Sequence, residues 1–446
     1  MSSQQVSAPR GMLLLLAGAA AGILFALMLG PAGMLPARAS EQAAIPRDHP
    51  AFELFREVYN TVHQRNVSPP DDARLIEGAI KGLVQSLDPH SEYLDEPSFR
   101  NAQEEALGVF GGLALKVAAE DGLLRIVSIG ATSHAGRVGL KPGDLITRLD
   151  GVPIRGMSVN HAVARMRGPV DSKIRVTIAR KRAADEMEFV VTRDLIRVQT
   201  VFGQAIDNAV GYLRITKFND LTTEGLRKAL QGLTVGIPTQ RLKGYILDLR
   251  NNPGGVFEQA ISVANAFLES GEIITVRGRN PDEDKTFVAE RGEESLAKRK
   301  PLIVLINGGS ASAAEIVAGA LQDNKRATVL GSLSFGKGSV QSTFPVGTDS
   351  GALRLTTAFY YTPGGRSIQA KGIAPDIKIT QEPRGVQSPR AEITSEATLR
   401  NHFKADGVEQ NGSESYVPPD AKNDRALKFA VDLLRGTRTH PAFPAN

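Results

Sequence analysis

The 446-residue sequence contains no cysteine and no tryptophan, and has only 7 histidines and 5% aromatic residues. Without cysteine there are no disulfides, thiolate zinc sites or cysteine nucleophiles, so hydroxyl, amine, carboxylate and imidazole groups must carry any chemistry. The histidines are scattered, with His134 and His161 read as surface residues, and H-E-x-x-H is absent. No metal site and no cofactor are expected. An excess of one charge is missing too: 53 basic against 48 acidic residues give +5, and Arg10 and Arg38 precede the first acid, leaving +3 for the body after residue 39. Basic and acidic residues are interleaved and there is no tryptophan to stack on bases, so a nucleic-acid partner is not expected. The long apolar run at the amino terminus is uncharged over 11–37, with its apolar centre at 12–29, Arg10 before it and Ala37-Arg38-Ala39 after it. That is the layout of an export signal. Because about 20 apolar residues can span a bilayer, a cleaved signal and an uncleaved anchor both remain open for 1–39. Either exports the body, as a periplasmic protein or one anchored facing the periplasm, with membrane contact only through this segment.

From 40 to 106 the pattern is helical. Phe52, Leu54, Phe55, Val58 and Val62 share one stripe, and Ile76, Ile80, Leu83 and Leu87 share another, separated by Pro69-Pro70-Asp71-Asp72. Two such helices bury little alone, so they are expected to dock on another domain or on a second copy, as a homodimer through this segment. Residues 87–94 then turn the chain; Asp88 and His90 are read there as turn residues rather than as an acid–base pair. Over 107–196 the periodicity shifts to short strands with turn signals, including Gly139-Leu140-Lys141-Pro142-Gly143-Asp144 and the hairpin signal Asp150-Gly151. This run resembles a circularly permuted PDZ domain. The loop Gly111, Gly112, Leu113, Ala114 would leave N–H groups free for a terminal carboxylate, and the strand after it would accept a peptide by β-augmentation.

From 197 to 382 strand and helix alternate, which indicates an α/β core with functional groups at strand carboxyl ends. Asn251-Asn252-Pro253-Gly254-Gly255 forms a turn between strand and helix, where backbone N–H groups suit an oxyanion. The richest stretch is 301–341: a strand, a Gly-Gly-Ser turn, a helix opening on serines, a second strand and a lysine between glycines. Ser312-Ala313-Ala314-Glu315 is a capping box, and on spacing alone Ser312 is a cap; a hydroxyl at a helix start can equally sit where amide dipoles stabilise an oxyanion. Lys337 could act as a base only if burial lowers its pKa from about 10.4 toward 7, a cost of about 4 kcal/mol. Gly331, Gly336 and Lys337 imitate a phosphate loop, but Gly338 stands where Ser or Thr must hold Mg²⁺, and a strand follows rather than a helix. Nucleotide binding is therefore rejected. There is no G-x-S-x-G elbow. Residues 381–421 are poor in apolar side chains and are expected to be loosely ordered; a terminal portion, 383–446, takes in most of them and ends in an amphipathic helix.

Ser310-Ala311-Ser312-Ala313-Ala314-Glu315-Ile316, Phe335-Gly336-Lys337-Gly338, Gln341 and Asp248-Leu249-Arg250-Asn251-Asn252-Pro253-Gly254-Gly255 together resemble the carboxyl-terminal processing protease family. The similarity covers nearly the whole exported chain; Ala314 stands where the family usually has Ser. The resemblance implies a multi-domain α/β protein: a crotonase/Clp-like peptidase core, an inserted PDZ domain and an amino-terminal helical segment. It implies Ser312 as nucleophile, Lys337 as general base and Gln341 as its orienting partner. An oxyanion hole would come from the N–H of Ala313 and of either Gly254 or Gly255. Substrates would be proteins or peptides with exposed carboxyl termini, gripped by the PDZ loop, with Arg167 coupling that domain to the site. The rival reading is a PDZ-based tail-binding protein with little or no catalysis.

Overall fold

The computed structural model describes residues 49–181, 183, 185–290, 297, 300–347, 351–381 and 393–443. The expected export segment, 1–39, lies outside the described residues, as does most of 291–300. The chain divides into two units, residues 1–76 and 77–446. In the first, helix Pro50–Arg65 opens on proline, whose missing N–H is not needed there, and His49 Nδ1 accepts the N–H of Ala51 at 3.2 Å. No residue of this helix is buried, and Phe52, Leu54, Phe55 and Val58 stand exposed. Helix Asp72–Gln85 runs across the division. Among the described residues no helix is long and apolar enough to cross a membrane.

The second unit is built on a six-stranded sheet in the order Val201–Ile206, Val210–Ile215, Gly244–Asp248, Leu302–Ile306, Thr328–Gly331, Ile377–Lys378. The first pair is antiparallel and the rest are parallel. Gly244–Asp248 and Leu302–Ile306 are buried throughout, as central strands covered on both faces must be. Alternation then sorts their side chains. Tyr245, Leu247, Leu302, Val304, Ile306 and Val329 pack against helices Thr222–Gly236, Phe257–Asn265 and Ala313–Asp323. Ile246, Ile303, Leu305 and Leu330 pack against helix Arg425–Arg435 on the other face. Ala313–Asp323 is buried on every side from Ala313 to Gln322, which fits its alanine-rich, nearly uncharged sequence. Three neighbouring parallel strands end at 248, 306 and 331, so the loops that follow them emerge along one edge of the sheet.

A second sheet joins Glu92–Leu94, Ala352–Tyr361, Glu272–Gly278 and Lys285–Val288, with Ser339–Pro345 also paired to Ala352–Tyr361. The small β domain has its own core, including Leu113, Ile126, Ile146, Ile174, Val176 and Ile178, beneath helix Val159–Met166. Its expected hairpin turn is present: Asp150 and Gly151 both take positive φ, 49° and 76°, between strands Leu145–Leu149 and Val152–Pro153. A two-stranded ribbon, Val109–Gly112 with Asp194–Arg197, leads in and out of that domain.

The expectation of loose order over 381–421 needs correction for its described part. Residues 393–421 are held by hydrogen bonds to the core rather than by apolar burial, which composition alone does not register. Gly308 N–H donates to Glu414 O at 3.2 Å, Gln410 N–H to Ala370 O at 2.9 Å, and Ser413 Oγ to Leu333 O at 2.6 Å. Ser395 and Glu396 are fully buried.

Candidate active site

Ser312 is the N-cap of helix Ala313–Asp323, at φ 53° and ψ −116°. A non-glycine residue rarely takes that conformation, and it persists only where its surroundings hold it. Here they do: the Ser312 N–H donates to Glu315 Oε2 at 2.8 Å, and Ala311 N–H donates to Asn252 O at 2.9 Å. Ser310 is already committed, because its hydroxyl donates to Leu249 O at 2.8 Å and accepts the N–H of Asn307 at 3.0 Å. Ser312 instead lines a cavity of about 630 Å³ together with Gly255, Phe257, Lys337, Gln341 and Tyr360.

The turn at 251–255 lies against the serine. A Cβ on Gly254 would stand 2.8 Å from Ser312 Cβ and 3.0 Å from Ala313 N, so only glycine permits this approach. The Gly254 N–H is consumed by Asn252 Oδ1 at 2.9 Å, whereas among the described residues the N–H groups of Gly255 and Ala313 meet no protein acceptor. Below the turn, Arg250 bonds both Asp248 and Asp424 in a buried cluster, and Tyr212 OH donates to Asp248 Oδ2 at 2.7 Å. These contacts fix the strand end from which the turn departs.

Lys337 follows the third strand end. Its Nζ donates to Gln341 Oε1 at 2.5 Å, and its backbone N–H donates to Glu315 Oε2 at 2.9 Å. One carboxylate oxygen therefore holds the main chains of both Ser312 and Lys337, while the other accepts Gly336 N–H at 2.7 Å and Ser334 Oγ–H at 2.6 Å. Burial pushes Lys337 down to about 8, partly opposed by the charges of Glu396 and Glu315. Burial pushes Glu315 up to about 7 in spite of its four donors. An amine of that basicity can take a proton from a hydroxyl near neutrality, and two unpaired N–H groups beside the hydroxyl can receive an oxyanion.

In the small β domain the expected carboxylate loop is shorter than its four residues. Gly111 and Gly112 belong to a strand and pair with Leu195 and Asp194, and Gly111 O accepts Gly168 N–H at 3.1 Å. Leu113 and Ala114 alone lie outside the ladder; the Leu113 side chain is in the domain core and Ala114 takes φ 53°. Arg167, at the end of helix Val159–Met166, stacks its guanidinium 4.3 Å from the Phe110 ring. Sequence reasoning saw Glu315 only as a cap, and it missed Thr356 and Glu396 near the lysine; their partners lie 15 to 306 residues away, beyond any spacing rule. The phosphate-loop imitation ends, as expected, in a strand, Ser339–Pro345.

An α/β core that offers a serine on a constrained turn beside a buried lysine, with a small β domain attached, has the build of a serine-type peptidase. The comparisons agree. Residues 209–379 match peptidase family S41, 125–180 match the PDZ domain, and 32–98 match the N-terminal domain of the activating protease CtpB. A carboxy-terminal-processing protease of Bartonella bacilliformis is 45% identical over 393 residues, covering 87% of this chain and 89% of that protein. The carboxy-terminal processing protease CtpA of Bacillus subtilis is 36% identical, covering 73% of this chain and 68% of its own. The solved photosystem II D1 C-terminal processing protease is 26% identical over 77% of this chain and 91% of that one, with a TM-score of 0.43. The chain belongs to the carboxy-terminal processing protease family, the PDZ-bearing serine peptidases of family S41.

Proposed function

We propose that this protein is an exported serine endopeptidase that grips protein carboxyl-terminal tails with its PDZ domain and cleaves near them through an acyl-enzyme. The observation that carries the reading is the joint placement of Ser312 and Lys337 on one cavity, with both main chains tied to Glu315. In this mechanism neutral Lys337 takes the Ser312 proton as Oγ attacks the scissile carbonyl. The oxyanion is received by the N–H groups of Ala313 and Gly255; Gly255 is preferred to Gly254, whose N–H is occupied. The Lys337 ammonium then protonates the leaving amine, an ester on Ser312 remains, and Lys337 activates the water that hydrolyses it. Gln341 orients the amine throughout.

The tail's carboxylate is assigned to the loop at Leu113 and Ala114, with the strand Leu115–Glu120 as the edge for β-augmentation. Arg167, stacked on the ribbon strand that enters the domain, is the proposed link between tail binding and the site. The exposed apolar stripe of helix Pro50–Arg65 supports a homodimer through that segment, and residues 1–39 support export with periplasmic or anchored placement. The test is terminal proteomics on cells carrying wild-type or Ser312→Ala protein. New carboxyl termini should appear with the wild type and vanish with the variant, while a tail peptide still binds. Undiminished cleavage by Ser312→Ala overturns the reading, and tail binding without any turnover by the wild type leaves a pure binding protein.

A further inference from the structure

The turn read from sequence as structural, 88–91, reaches the lysine. Asp88 is buried, and its carboxylate accepts the N–H groups of His90 and Ser91 at 2.9 and 3.0 Å and the Ser91 hydroxyl at 2.5 Å. A further donor comes from another sheet strand: Thr356 Oγ1 donates to Asp88 Oδ1 at 3.0 Å. Thr356 faces Gln341 across the strand pair Ser339–Pro345 and Ala352–Tyr361, beside a register shift between Val340 and Gln341. Gln341 Nε2 donates to Thr356 Oγ1 at 3.1 Å and to Ser339 Oγ at 3.0 Å, and Gln341 Oε1 accepts from Lys337 Nζ. Three hydrogen bonds thus run in one direction, from Lys337 through Gln341 and Thr356 to Asp88.

The direction is dictated at the Asp88 end. An ionised carboxylate only accepts, so the single hydrogen of the Thr356 hydroxyl must point to it, and the Thr356 oxygen is left to accept. Only the NH₂ side of the Gln341 amide can meet that oxygen. The amide oxygen is therefore turned toward Lys337, the one orientation in which Gln341 accepts from the amine instead of opposing it with its own hydrogens. The same turn also holds the lysine loop's backbone: His90 Nε2 bonds Glu396 Oε2 at 2.8 Å, Glu396 Oε1 accepts from Gln369 Nε2 at 2.8 Å, and Gln369 Oε1 accepts Gly338 N–H at 3.0 Å.

We propose that Asp88 is a positioning residue of the active site, which acts through Thr356 to fix the amide orientation of Gln341 and so the direction of the Lys337 amine. This rests on the Ser312/Lys337 reading above. A turn that precedes the PDZ domain in the chain is thereby part of the catalytic apparatus, although it touches no reacting atom. The groups whose charges bear on Lys337 are Glu396, Glu315, Arg354 and Asp88 itself.

The experiment measures fluorophosphonate labelling of Ser312 and cleavage of a quenched-fluorescent peptide with a free apolar carboxyl terminus, across pH, on the full chain. Thr356→Val keeps shape and β-branching but removes the hydroxyl; it should lower labelling rate and kcat by roughly tenfold or more with little change in KM. Thr356→Ser, which restores the hydroxyl, should recover most of the loss, and both should melt near the wild type. Asp88→Asn should lower kcat and move the acid limb of kcat/KM to lower pH, because a negative charge that favours the ammonium is gone. Wild-type rates in Thr356→Val, or equal impairment of Thr356→Val and Thr356→Ser, overturn the proposal even where Asp88→Asn does not fold. Ser312→Ala separates the two levels: if it still cleaves, the Ser/Lys reading fails, whereas an inert Ser312→Ala beside a fully active Thr356→Val removes only the positioning role.

Discussion

Glu315 gives a sharp test of the architecture, because its two oxygens serve different partners. Oε2 accepts from Ser312 and Lys337, and Oε1 accepts from Gly336 and the Ser334 hydroxyl. In Glu315→Gln one oxygen becomes a donor. The least costly placement keeps oxygen toward Ser312 and Lys337 and turns NH₂ toward Ser334, whose hydroxyl can rotate to accept. The Gly336 N–H alone is then left buried without an acceptor, at a cost of about 1–3 kcal/mol, which above pH 7 is offset by relief from burying an ionised carboxylate. Glu315→Ala leaves three N–H groups and a hydroxyl unpaired together, and the loss should exceed about 4 kcal/mol. Urea unfolding at pH 8 reads both. A second signature lies in pH. The carboxyl rises from its ordinary 4.5 to about 7 on folding, so its contribution to stability is present below 4.5 and is lost as pH climbs through about 7. That slope should be absent in Glu315→Gln. Equal losses for the Gln and Ala variants, or an unchanged slope in Glu315→Gln, would refute the assignment of Glu315 as the common anchor of the serine and lysine loops.

Two further outcomes follow from the site. Cleavage should rise with pH through an acid limb near 8, where Lys337 loses its proton, and Lys337→Arg should be inactive across that range because guanidinium stays charged; a pH–rate series checks both. Gly255→Ala would place a Cβ 1.9 Å from Phe218 O at φ 137°, displacing the N–H assigned to the oxyanion, so kcat should fall by about 10²–10³ while tail-peptide affinity measured by calorimetry stays near that of the wild type.

The legibility of the sequence followed the range of the interactions. The alternation of strand and helix, the Asp150-Gly151 hairpin and the glycine turn at 254–255 are local, and each was readable from adjacent residues. Ser310 and Ser312 were separable in sequence only by resemblance; the structure separates them by hydrogen bonding, since Ser310 is tied to Leu249 and Asn307 while Ser312 faces the cavity. Composition misjudged 393–421 because its backbone and the Ser413 hydroxyl pair with carbonyls and N–H groups of the core, a stabilisation with no hydropathy signature. A loop was expected over all of 111–114 because nothing in Gly111-Gly112 announces a partner strand more than eighty residues later.

The long-range acids also bear on the role proposed for the buried lysine. Desolvation alone favours the neutral amine, and carried far enough it would give a base too weak to draw a proton from a serine hydroxyl. Three carboxylates oppose this: Glu396, Glu315 and Asp88 favour the ammonium, while Arg354 disfavours it. Glu396 is fully buried and paired to His90, and Arg354 is paired to Glu92 at 2.6 Å. Two of the charges that set the lysine, Glu396 and Arg354, therefore hang on contacts to residues 90 and 92, and a third, Asp88, lies on the same short segment. A shift of that segment would move Glu396, Asp88 and Arg354 against Lys337 together, so lysine basicity and Gln341 orientation should change as a unit. This predicts non-additivity: Thr356→Val and His90→Phe combined should cost less in kcat than the product of their separate losses, because either one already frees the same loop.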